Sequence, residues 1–266
     1  MSSAYTPLQL GPKFLKYWLT ASNGKGHGIH SPFIFEFVTK VLRDHVSYPS
    51  SIEELRRSLL EEHVSVPTLD FGAGNSGERL ISEIARTSLK PAKFGQLLYR
   101  MARFYQPSNI LELGTSLGVT TAYLASGSRG AGEAATVTTL EGAPAVAAIA
   151  RRNFSELGLR NIRLVEGNFD ATLPGVLENL PKLDMAFIDG NHRLEPTLRY
   201  YREMLPKLYP DSIVIFDDIH WSREMEEAWE ELKQDSSVRC SVDLFYIGIL
   251  FFRSEFHTVQ HFAVRF

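Results

Sequence analysis

Acids and glycines recur at the ends of short apolar runs in this chain, and their spacing is where its chemistry would sit. Ile110-Leu111-Glu112-Leu113 breaks into Gly114-Thr115-Ser116-Leu117-Gly118, and a helix-like segment from Val119 to Ala125 comes at once. Glycines at 114 and 118 let the backbone approach a ligand, and the helix start offers free N–H groups. A second run, Ala135 to Leu140, ends in Glu141-Gly142. An acid at the tip of the second strand of a βαβ unit can accept hydrogen bonds from two ribose hydroxyls.

The pattern continues. Ile162 to Glu166 leads into Gly167-Asn168-Phe169-Asp170, Leu183 to Ile188 into Asp189-Gly190-Asn191-His192, and Ser212 to Phe216 into Asp217-Asp218. Helical patterns separate these runs, as from Pro144 to Leu157, so they read as strands of an open α/β sheet. Ligands bind such sheets outside the carboxyl ends of the strands. Helix N-capping accounts for an acid after one or two strands; five strands in succession with polar or acidic tips point to a binding edge.

This order resembles the class I S-adenosylmethionine-dependent methyltransferases. Glu112, Gly114, Thr115, Ser116 and Gly118 look like their first motif, Glu141 with Gly142 like the ribose-binding tip, and Asn168 with Phe169 like the segment beside the adenine. The later motifs are similar to those of the cation-dependent small-molecule O-methyltransferases: Phe187 to His192, then Tyr200-Tyr201, then Leu205 to Pro210, then Phe216 to Trp221. The likeness covers roughly residues 92–253. Asp218 stands where that family usually has Asn, His192 where it often has Lys, and Asp211-Ser212 where it usually has Gly-Gly. The resemblance implies a Rossmann-like, mostly parallel seven-stranded sheet with a C-terminal antiparallel hairpin, and S-adenosyl-L-methionine as cofactor, with Asp189 also at its edge.

Methyl transfer from a sulfonium needs the acceptor held in line and made nucleophilic. Asp189, Asp217 and Asp218 are expected to supply oxygen donors to Mg²⁺ or another divalent cation, which oxygen ligands suit better than zinc. The same acids could instead cap a helix and hold a loop. His192 lies three positions after Asp189 and could be a general base, a metal ligand or a surface histidine; Asp189 and His192 are the catalytic candidates. Trp221 could wall the acceptor or pack in the core, and Tyr200 and Tyr201 read as helix packing. Two other readings stand beside transfer. An NAD-type dinucleotide oxidoreductase would also use Glu141, but Gly114 and Gly118 do not form G-x-G-x-x-G, and acids after strands four and five have no evident role there. A binding module could keep the cofactor pocket without turnover.

At 266 residues, the chain can hold one large domain or a domain with an extension. Hydrophobic residues make up 44% and charged residues 22%, ordinary for a globular protein, and the net charge of −3 gives no footprint for nucleic acid. The single Cys240 excludes an intramolecular disulfide and fits a reducing compartment. There is no signal-peptide pattern and no apolar run near the ~20 residues needed to span a bilayer. The expectation is therefore a cytoplasmic protein with a small-molecule acceptor and no nucleic-acid or membrane partner, its oligomeric state open, a homodimer included.

Residues 91–266 read as the methyltransferase domain, and residues 1–90 as a helical cap that shapes the substrate side. In the cap, Leu8 to Leu19, Phe33 to Arg43 and Ile52 to Glu62 are expected helices, the second capped by Ser31 and buried nearly all round. Thr68 to Gly74, with Asp70 ahead of its glycines, mimics a first cofactor motif. No acid-tipped strand comes after it before Ile110, so it reads as a tight turn. His27 and His30 lie in a Gly-rich loop and read as solvated. At the other end, Val242 to Phe252 and Gln260 to Phe266 are expected to form the closing hairpin, with Gly248 at a bulge or a close backbone contact.

Overall fold

The five acid-tipped runs all become strands. In the computed structural model, which describes residues 4–26, 30–70, 75–128 and 135–266, they are β3 (Asn109–Leu113), β4 (Thr136–Glu141), β5 (Ile162–Glu166), β6 (Met185–Ile188) and β7 (Ile213–Asp217). The chain divides into two compact units, one of residues 44–179 and one of residues up to 43 together with 180–266.

In the first unit, β3, β4 and β5 run parallel, with Glu112 in register with Thr139 and Glu141 with Glu166. Crossovers through α6 (Val119–Gly127) and α7 (Pro144–Glu156) join them, and α8 (Phe169–Glu178) comes after β5. Ahead of β3 come α3 (Ser50–Glu61), the antiparallel hairpin of β1 (Ser65–Asp70) and β2 (Asn75–Leu80), α4 (Ile81–Ser88) and α5 (Ala92–Tyr105). The expected cap is thus not wholly helical. Phe71 to Gly74 lie outside the described residues, as does His27. At the α5–α6 contact, a Cβ on Gly95 would lie 2.6 Å from the Tyr123 ring, so this glycine sets how closely the helices approach.

In the second unit the strand order is β10-β8-β9-β7-β6, with β8 (Cys240–Asp243), β9 (Ile247–Phe251) and β10 (Gln260–Ala263). β6 and β7 pair in parallel and are wholly buried, which is why they read as unbroken apolar runs. α9 (Leu194–Met204) joins them, and α10 (Arg223–Lys233) lies beyond β7 with Ser222 as its N-cap, its side chain accepting from the Met225 N–H at 3.2 Å.

The parallel-dominated sheet expected from the sequence is present, but it has eight strands rather than seven. The closing hairpin also differs. β9 is antiparallel to both β7 and β8, so the hairpin is β8–β9, turning at Leu244 to Tyr246. β10, expected as its second arm, instead runs parallel to β8. The turn rests on Phe245 at φ 71°, a left-handed conformation that no Gly or Asn announced.

Two helices of this unit come from the start of the chain, α1 (Pro7–Thr20) and α2 (Pro32–Phe37), the latter running on into a π-helical turn, Val38–Leu42. Ser31 caps α2 as expected, accepting from the Ile34 N–H. The burial is less complete than expected: Ile34, Phe37, Val38, Val41 and Leu42 are buried, but Phe35 is exposed.

Gly248 on β9 faces the Trp229 ring. A Cβ there would lie 2.7 Å from Trp229 and 2.9 Å from Ile219, both fully buried. Gly248→Ala should lower stability by about 1–3 kcal/mol, the cost of overpacking a filled core. Chemical denaturation measures it, and an unchanged midpoint would mean that the indole yields freely.

Candidate active site

The turn after β3 is built by backbone conformation. Gly114 (φ 104°), Ser116 (φ 47°) and Gly118 (φ 81°) are all left-handed, and a Cβ on Gly118 would meet the Phe154 ring at 2.5 Å. The Gly114 and Thr115 N–H groups both donate to the Leu140 carbonyl at 3.1 Å, tying the turn to the end of β4. From that strand's tip, the Glu141 carboxylate accepts the Ser116 N–H at 2.8 Å and the Ala143 N–H at 2.9 Å. The two motifs that the sequence placed 25 positions apart are therefore joined by one side chain. The Glu141 carbonyl in turn accepts the Gly167 N–H at 2.9 Å, which brings in the β5 tip, where Asn168 caps α8 ahead of Phe169.

Glu112 sits beneath this turn. It is fully buried and accepts hydrogen bonds from the Thr121 and Thr139 hydroxyls, while Thr139 lies 2.6 Å from the Thr115 hydroxyl. This network fastens β3 to α6 and β4. Sequence reasoning missed Ser88, at the end of α4, whose hydroxyl lies 2.8 Å from that of Ser116; nothing in the local pattern marks it.

The second unit brings together a different set. Asp189, His192 and Asp217 each place one ligand atom within 4.8 Å of the other two. Asp217 is fully buried, while Asp189 and His192 are half-buried. His192 Nε2 lies 3.5 Å from Asp189 Oδ1, beyond a good hydrogen bond, so the two side chains border a common point. Parallel pairing of β6 with β7 explains why the Asp189 and Asp217 tips are neighbours. Two left-handed residues re-aim the chain beyond them. Asn191 (φ 55°) accepts from the Arg193 guanidinium at 2.7 and 2.9 Å and donates to the Tyr200 hydroxyl at 3.1 Å. Asp218 (φ 54°) donates its N–H to the Tyr246 carbonyl, and its own carbonyl accepts the Trp221 N–H. Asp218 does not join the converging group. Tyr200 and Tyr201 are buried, as helix packing requires, and Trp221 and His30 are exposed.

Just past Asp218, His220 enters an ionic cluster that the sequence did not reveal. Its Nε2 lies 2.9 Å from Asp243 and its Nδ1 3.2 Å from Glu226, and its ring stacks on Phe245 at 5.0 Å. Glu226 also accepts from the Tyr5 hydroxyl at 2.7 Å and from Lys13 at 2.9 Å, so the cluster fastens α1 to α10. Burial alone would push the His220 ring down in pKa; the hydrogen bond and charge of Asp243, then of Glu226, more than offset it and raise the ring above its ordinary value. Burial likewise works to raise Glu226, but Lys13, Tyr5 and His220 hold it below its ordinary value.

Residues 111–219 match the family model described as a methyltransferase domain. The S-adenosylhomocysteine (SAH)-bound methyltransferase of Podospora anserina superposes with a TM-score of 0.62 at 15% identity, over 85% of this chain and 97% of that one. An O-methyltransferase of Bacillus cereus, in complex with SAH, gives 0.56 at 19% identity over 80% and 96%. This chain has the class I methyltransferase fold. A catechol O-methyltransferase of Niastella koreensis is 31% identical over 127 residues, 47% of this chain. The chain spans 55% of that relative's length.

The raised His220 makes a signed prediction. A histidine whose folded pKa is raised stabilises the fold fully below its unfolded value, about 6.5, and loses that contribution as pH climbs through the folded value. The stability gap between wild type and His220→Asn should therefore be wider at about pH 6 than at about pH 9. Urea titrations at the two pH values measure it, and a gap that widens with pH would contradict the charged-ring arrangement.

Proposed function

We propose that this protein transfers a methyl group from S-adenosylmethionine to an oxygen of a small molecule. The observation that carries this reading is Glu141, whose carboxylate is fixed by the Ser116 and Ala143 N–H groups. Each carboxylate oxygen accepts more than one hydrogen bond, so Glu141 so oriented can also take the two ribose hydroxyls. Asn168 and Phe169, at the next tip, would flank the adenine, and the backbone of Gly114 to Gly118 would face the rest of the cofactor. Bound S-adenosylmethionine supplies an already activated methyl group, so the chain needs no covalent nucleophile of its own. A dinucleotide oxidoreductase is not favoured, since the family model and the similar proteins named above are methyltransferases.

The donor set of Asp189, His192 and Asp217 fits a divalent cation. Two carboxylates and an imidazole within 4.8 Å of one another suit Mn²⁺ or a later transition metal better than Mg²⁺, which takes oxygen ligands. Such a cation would lower the pKa of an acceptor hydroxyl and orient it. In this reading His192 takes the place expected for Asp218, which is not among the converging side chains. Asp217, at the buried end of β7, would be the buried donor, with Asp189 and His192 the half-buried ones. The catechol named for the curated relative offers two adjacent oxygens, and we extend that acceptor class, a phenol with a neighbouring oxygen, to this chain. Residues 1–90 we read as shaping the acceptor side. Cys240 is buried, its thiol pushed up to about 12 by desolvation, which suits the reducing cytoplasm we assign.

SAH should stabilise the purified protein and NAD(H) should not. At ~100 times its Kd a ligand adds about 2.7 kcal/mol, a clear thermal shift. Glu141→Ala should remove most of it. If Glu141→Ala keeps the shift while Asp70→Ala loses it, the cofactor lies on the other glycine turn.

Chelator and substitution test the acid group separately. A chelator, or Asp217→Asn, should abolish transfer while the SAH thermal shift persists. Transfer that survives chelation but fails in His192→Ala would make His192 a general base instead of a ligand. Transfer that survives both would remove the acid group from the reaction.

A further inference from the structure

The exposed face of α1 is built the wrong way round for a helix facing water. Its inner face is anchored. Tyr17 is buried with Ala21 and Phe245, and its hydroxyl donates to the Val264 carbonyl. Phe14 meets the Phe245 ring edge-on at 5.0 Å, and Lys13 reaches Glu226. At 100° per residue, Leu8, Leu15 and Leu19 fall within about 20° of one line on the opposite side, where polar residues belong. They are 88%, 57% and 68% exposed, with Trp18 at 43% on the margin. A monomer rarely presents so many large apolar side chains on one short helix without a partner for them.

Charge indicates which partner. The first 35 residues contain Lys13, Lys16 and Lys25 and no acid, in a chain whose net charge is −3. Lys16 borders the stripe on one side. On the other, the Arg265 guanidinium lies 5.3 Å from the Trp18 ring. The acids that meet the anchored side, Glu226 and Asp243, are bonded to Lys13 and His220. Leucines with an aromatic margin and basic flanks describe a helix that lies in a lipid interface, apolar face down.

We propose that α1 docks this protein on an anionic membrane surface. The expectation of no membrane partner rested on the lack of a spanning run, and an interfacial helix needs none: no described helix is long and apolar enough to cross a bilayer. A second copy is the less suitable occupant. Stacking two such stripes face to face would bring both sets of basic margins together with no acid between them. The anionic cytoplasmic leaflet supplies that negative charge.

Co-sedimentation of the full chain with vesicles tests this. The protein should sediment with phosphatidylcholine vesicles containing roughly a third phosphatidylglycerol, and little with phosphatidylcholine alone. Lys16→Gln should reduce the partition coefficient about fivefold, the worth of one basic side chain near an anionic surface. The double substitution Leu15→Glu, Leu19→Glu should abolish sedimentation with the melting temperature unchanged, because both side chains are exposed. No sedimentation with anionic vesicles, or sedimentation indifferent to the double substitution, would overturn the proposal. A lipid-free dimer in the ultracentrifuge that the same substitution dissolves would assign the face to a second copy.

Discussion

One carboxylate joins the turn after β3 to the tip of β4. Glu141 spans from the end of β4 to the Ser116 N–H, and Ser116 can offer that N–H only because the turn runs through three left-handed residues. The Gly118 conformation is in turn protected by Phe154, which leaves no room for a side chain. Beneath, the buried Glu112 ties the threonines of α6 and β4 together through hydrogen bonds under the turn. Each part is a local device of hydrogen bonds and backbone conformation.

In the other unit the same principle works through strand pairing. Parallel β6 and β7 carry Asp189 and Asp217 to neighbouring tips, and the left-handed Asn191 and Asp218 set the direction in which the chain leaves each acid. Past Asp218, the His220 cluster fastens α1 beside the segment that leads out of β7. The helix read as a lipid-docking element is thus anchored next to the stretch that carries the acids.

Much of this was legible in the sequence because the signals were local. β6 and β7, buried on both faces, had to be continuous apolar runs, and their acids had to sit at the exits. Ser31 and Pro32 marked the start of α2 correctly for the same reason. The hidden features depended on distant partners or on unannounced backbone. The β8–β9 turn lies inside an apolar stretch whose break is a left-handed Phe245. The parallel seat of β10 on β8 is a non-local choice, and the polar β1–β2 hairpin has no apolar alternation to betray it. That His192 and not Asp218 lies with Asp189 and Asp217 is a three-dimensional placement, and the left-handed turns at Asn191 and Asp218 are ones that residue type only hints at. The partners of His220 come from separate elements, β8 and α10.

The central claim is transfer of a methyl group to oxygen, and the most direct test is the fate of the label. Purified protein, S-adenosylmethionine labelled in its methyl group, a divalent cation and a panel of phenols with and without a neighbouring oxygen should yield a labelled methyl ether, preferentially from the phenols that carry one. Label found only on nitrogen or sulfur acceptors, or no transfer from a protein that binds SAH, would contradict the account.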